Sequence, residues 1–167
     1  MAERKISTRF AVEGEDQYKK SVADINIRLK TLKSELALVQ SQYAGQENSM
    51  EALTAKGQTL AAMYAAQQEK VQTAQAALQN AAAAQSQYAA QVAESQAKLQ
   101  AAQQAMDEMD QAADSDAYAQ LTEQVAQYQQ ELSKAEQLQR AAEWGMQNWQ
   151  QSVNYAQRDL NQLSAEI

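Results

Sequence analysis

From Tyr18 onward the large apolar residues recur in alternating steps of four and three. Tyr18, Val22, Ile25, Leu29, Leu32, Leu36, Val39 and Tyr43 keep this rhythm without interruption. Such spacing places all of them along one stripe of a helix, the a/d seam of a coiled coil. Gly45 follows as a helix-ending residue. Asn48 with Glu51 three residues on then resembles a capping box that opens a new helix. The rhythm resumes through Met50, Leu53, Gly57, Leu60, Tyr64, Gln67, Val71, Ala74 and Leu78. It continues to Met109 with Ala, Ser and Gln at many seam positions, so a partner helix must approach closely. Short polar and acidic residues at 113–116 suit a turn. A third stripe holds Tyr118, Leu121, Val125, Tyr128, Leu132, Met146, Trp149, Val153, Leu160, Leu163 and Ile167.

Ahead of these helices the pattern differs. Ile6, Thr8, Phe10 and Val12 alternate with more polar neighbours, which is the period of a strand. A lone strand needs a partner. Residues 1–14 are therefore read as a short strand or docking arm, with a frayed terminus as the alternative. The remaining division is helix 1 over 15–44, helix 2 over 48–113 and helix 3 over 116–167. The fold class expected is all-α: an elongated antiparallel coiled coil of three long helices with a short strand-like N-terminal segment. Antiparallel folding at short turns brings residue 18 near 75 and residue 167 near 60, so the larger side chains collect where three helices meet. Extended helices whose seams are filled by other copies of the chain are the competing arrangement.

Composition removes whole classes of chemistry. The chain has no His, no Cys and no Pro in 167 residues. Common nucleophile–base pairs and transition-metal ligand sets cannot be assembled from it. The acids Glu108, Asp110, Asp114 and Asp116 lack the alternation, central Gly and closing Glu of a calcium loop, and read as a solvated turn. Trp144 and Trp149 read as packing residues, with Trp149 on the seam. No catalytic, cofactor-binding or metal-binding residues are expected, no cofactor, and no small-molecule substrate.

Charge narrows the partners. The net charge is −7. Residues 1–33 hold eight Lys/Arg against five acids, and the remainder six against sixteen. An acidic body argues against nucleic acid. Mean hydropathy is −0.65, and no stretch approaches the ~20 apolar residues of a membrane helix. The N-terminus lacks the apolar core of a secretory signal. The partners expected are other protein chains. The seam residues named for such contact are Tyr18, Val22, Ile25, Leu29, Leu32, Leu36, Val39, Tyr43, Leu60, Tyr64, Val71, Trp149, Val153, Leu160 and Leu163.

One stretch resembles a known family. A short strand leads into Gly14–Lys19 (GEDQYK), then Ile25–Glu35 (INIRLKTLKSE), then Asn48–Lys56 (NSMEALTAK). In that order these are similar to the start of tape measure proteins of long-tailed phages and prophages. The likeness covers about the first third of the chain. It implies an N-terminal part of a virion structural protein whose length sets that of the tail. The implied setting is assembly in the host cytoplasm, with tail tube, tip and assembly chaperone as partners beside other copies. The departure is length: family members run to many hundreds of residues, and 167 residues in one helix span only about 250 Å. A stand-alone coiled-coil adaptor or tail-assembly chaperone is the alternative.

Overall fold

The computed structural model describes residues 14–109 and 115–166. They form three helices: α1 (Glu15–Gln42), α2 (Met50–Glu108) and α3 (Ser115–Glu166). No strand occurs among the described residues. The strand expected at residues 5–12, and the acidic turn residues Asp110 and Asp114, lie outside them.

Local chemistry explains the helix ends. Gly14 adopts φ 82° and no side chain caps α1. Glu15 and Asp16 instead place negative charge on the free N–H groups of the first turn. Lys19 Nζ closes on Glu15 Oε1 at 2.6 Å. After α1 the chain reverses through Gly45 at φ 85°, a left-handed conformation that favours glycine. The Gly45 N–H donates to Glu47 Oε1 at 2.8 Å. The cap of α2 differs from the capping box expected at Asn48. Ser49 Oγ accepts the Ala52 N–H at 3.2 Å, so the hydroxyl one residue later reaches the third amide of the helix.

Packing divides the described residues into two compact units, one of 14–80 with 146–166 and one of 81–109 with 115–145. The first unit is a three-helix assembly. Ile25 and Leu29 pack on Ala66, with Leu32 beside them. Leu60, Met63 and Leu163 form a second cluster that Leu32, Leu36 and Tyr64 border. Val71, Ala156 and Leu160 form a third against Tyr64. Residue numbers rise along α1 and α3 as they fall along α2, so both helices run antiparallel to α2 here. Burying a Leu, Ile or Met side chain contributes about 1.5–3 kcal/mol, so these clusters dominate the stability of this unit.

The second unit is built on a thinner line. Its buried residues are Ala81, Ser95 and Ala102 on α2 and Ala135 and Ala142 on α3, with Gly145 beside them. Larger residues such as Tyr88, Val92, Leu99, Leu121, Val125, Tyr128 and Leu132 are only half-buried. Small residues let helix axes approach to the short end of the 8–10 Å range, but they remove little area from water. Buried positions along α3 (135, 142, 149, 156 and 163) recur every seven residues.

Candidate interaction surface

All fifteen seam residues named from the sequence are buried or half-buried. Ile25, Leu29, Leu60, Val71, Trp149, Leu160 and Leu163 are buried. Tyr18, Val22, Leu32, Leu36, Val39, Tyr43, Tyr64 and Val153 are half-buried. Tyr18 meets Trp149 edge to face, with ring centroids 6.3 Å apart and planes at 74°, the arrangement that aligns a positive ring edge with a negative face. Trp144 is 63% exposed and takes no part in the core.

One polar group penetrates the three-helix core. Gln67 is 4% exposed, and its Nε2 donates to the Ala156 carbonyl at 2.8 Å. Among the described residues no buried side-chain N or O lacks a partner. Arg28 pairs with Glu69 across α1 and α2, both half-exposed, where such a pair contributes roughly 0–1 kcal/mol.

Ala66 and Ala77, missed in the sequence reading, are buried in α2 together with Met63, which that reading places where three helices meet. They widen the stripe because this part of α2 has helices on two sides. The same geometry corrects the start of the α2 seam. Met50 is 75% and Leu53 51% exposed, Gly57 is exposed too, and Ala52 is buried in their place at 4%. The stripe through Met50, Leu53, Gly57, Leu60, Gln67 and Val71 is the one that meets α3 farther along. Leu163, near the end of α3, packs at Leu60 and Met63. Below that level, among the described residues, α2 has α1 alone beside it.

Two surface features follow in the three-helix unit. One groove, lined by Leu29, Met63, Gln67 and Leu163, carries Lys30, Lys33 and Lys70 with Asp159 and Glu166 at its rim. A second, of about 390 Å³, lies at the α1–α2 turn between Val39, Tyr43, Ala52 and Leu53, with Glu47 and Lys56 among its lining. The Gly45 amide, and behind it the amide of Glu47 itself, hold the Glu47 carboxyl below its ordinary pKa. In the other unit, Lys98 Nζ lies 2.7 Å from Glu94 Oε1. The hydrogen bond to Lys98, reinforced by its charge, lowers the pKa of Glu94, and the reciprocal bond raises that of Lys98.

The charge of the two units differs. Among its described residues the small-residue unit carries three bases, Lys98, Lys134 and Arg140, against eight acids. The three-helix unit carries eight against nine. Among the described residues no three His, Cys, Asp or Glu gather as a metal site, and no helix is long and apolar enough to cross a membrane. Comparison with protein-family models, curated proteins and solved structures finds no match to this chain.

Proposed function

We propose that this chain is a structural and assembly component of a phage tail, the N-terminal part of a tape measure protein whose helices pack as antiparallel coiled coils. The observation that carries the reading is the ordered likeness of Gly14–Lys19, Ile25–Glu35 and Asn48–Lys56 to that family's opening. The heptad recurrence of buried positions along α3 supports the coiled-coil packing. A protein of this kind acts through helical rise, about 1.5 Å per residue, and through contacts with tube, tip and chaperone proteins, in the host cytoplasm and then in the virion tail. It performs no catalysis.

Tail length is the test. Duplicating in frame the codons for Met50–Glu108, 59 residues, lengthens a tape by about 90 Å of helix. Electron microscopy of the resulting particles then shows tails longer by that order. Tails of unchanged length, on particles shown by mass spectrometry to carry the duplicated chain, reject the length-setting role. Absence of the chain from finished particles that need it for assembly moves it to the adaptor or chaperone class.

A further inference from the structure

One groove of the three-helix unit, about 390 Å³, has walls from all three helices: Lys30 and Lys33 on α1, Gln67 and Lys70 on α2, Asp159 and Glu166 on α3. Its floor is apolar, since Leu29, Met63 and Leu163 are buried. Lys30, Lys33 and Lys70 enter no ion pair among the described residues, whereas Asp159 Oδ1 lies 3.7 Å from Arg158 Nη2. Gln67 gives its Nε2 to the Ala156 carbonyl. Its Oε1 accepts no bond among the described residues, and no side-chain oxygen shut away from solvent there lacks a partner, so Oε1 opens onto the groove. An apolar floor, an unused acceptor and three unpaired ammonium groups thus share one cleft.

We propose that this groove binds the free carboxyl end of another polypeptide, one whose last side chain is apolar. Size excludes a docked helix. The α1 wall runs from Asn26 to Lys33, about 10 Å of helix, which matches about three residues of extended chain. A helix of that length and about 10 Å across fills roughly 800 Å³, twice the space there is. Charge narrows the occupant further. Three ammonium groups against two carboxylates leave one positive charge, which suits a single carboxylate and opposes a run of acids. An amino end would only add to that excess. The last residue of a chain brings both required parts: its carboxylate bonds the lysines, and its side chain covers Leu29, Met63 and Leu163. The backbone N–H just upstream donates to Gln67 Oε1, so the peptide is held at two polar points and one apolar one. This inference is independent of the tail reading.

NMR of the full chain, labelled at its methionine methyl groups, tests it. A pentapeptide that ends in leucine with a free carboxylate shifts the Met63 signal saturably, with half-saturation on the order of 100 μM. Amidating that end weakens binding at least tenfold, and serine in place of the leucine weakens it several-fold. Lys30→Gln with Lys70→Gln in one chain weakens the free-carboxylate peptide at least fivefold, leaves the amidated one as it was and keeps the melting curve in place. A Met63 signal unmoved at about 3 mM peptide overturns the proposal. So does an amidated peptide that binds as well as the free acid, or a lysine double variant that binds like the parent. Octanoate binding as tightly as the peptide makes this a site for aliphatic acids, and inorganic phosphate doing so makes it a general anion site; either overturns the peptide end as occupant.

Discussion

Replacing Gln67 by Glu changes one nitrogen to oxygen at the most buried polar position of the three-helix core. The native Nε2 donates to the Ala156 carbonyl. A carboxylate there has nothing to donate and sets two acceptors face to face. The hydrogen bond itself contributes about 1 kcal/mol net, and an unpaired buried acceptor costs a further 1–3. A cost of about 2–4 kcal/mol at pH 7 follows, toward the lower end because Lys30, Lys33 and Lys70 rim the same groove, opposed by Asp159 and Glu166. Burial and the facing carbonyl both raise the pKa of the introduced carboxyl in the folded state. The folded variant therefore binds its proton more tightly than the unfolded chain, and its deficit shrinks as pH falls through that raised value. Below about pH 4, where unfolded Glu is also protonated, the acid O–H donates to Ala156 and most of the deficit is gone. Urea unfolding of both proteins, followed by far-UV circular dichroism at pH 7 and at about pH 3.5, reads the difference. Gln67→Leu is the control: it removes the donor while Ala156 keeps its own helical partner, and costs at most about 1 kcal/mol. A Glu variant within about 0.5 kcal/mol of the parent at pH 7, or one equally impaired at both pH values, refutes the burial of this group against Ala156.

Four further outcomes check other parts of the molecule. Leu29→Asp puts a charge beside Ile25 and Ala66; it costs about 3 kcal/mol or more and speeds amide exchange in α1 beyond that in α3, whereas an unchanged melting curve shows that the position is not buried. With Trp144→Phe the remaining Trp149 emits at shorter wavelength and resists acrylamide; with Trp149→Phe the remaining Trp144 emits at longer wavelength and is quenched, and matching spectra contradict their 7% and 63% exposures. Amides of residues 81–108 and 115–145 exchange through openings of lower free energy than those of residues 60–75, because alanine lines the first core and large side chains the second; uniform protection argues against that contrast. The carboxyl carbon of Glu47 titrates in NMR below the ordinary glutamate range, since the Gly45 amide favours its ionised form; a midpoint at or above that range means the bond from Gly45 is not kept in solution.

The helical class and the number of helices were legible because the four–three rhythm is unbroken where large residues carry it. Ile25, Leu29, Leu60 and Val71 announce themselves by spacing and size. Ala66 and Ala77 did not, since a single stripe assumes a single neighbour and this part of α2 has two. Their signal was present as small residues a few positions from the main stripe. Met50 and Leu53 show the opposite failure: the pattern is right, but a pattern cannot say how far the neighbouring helix extends. At the α2 cap, Asn48 and Ser49 are both suitable, and one residue of phase decides which oxygen reaches the third amide. Gln67 fell on the predicted stripe without any indication that its side chain would turn inward to a carbonyl. The proposed function rests on the order of three short stretches, and neither spacing nor packing could have supplied it.

The buried line of the second unit has one further property. Ser95 and Ala102 on α2, and Ala135 and Ala142 on α3, stand seven residues apart and are nearly the same size. One heptad before each of these pairs stands a half-buried ring, Tyr88 on α2 and Tyr128 on α3, so a slide of seven residues, about 10 Å, moves a large side chain to a position that a small one held. The alignment of this pair therefore rests on a few rings and not on the small line itself. In the three-helix unit the bulky Trp149 against Tyr18 and the hydrogen bond from Gln67 to Ala156 admit only one alignment. Under a pull along the axis, the alanine-lined pair gives way before the three-helix unit, because less apolar area holds it.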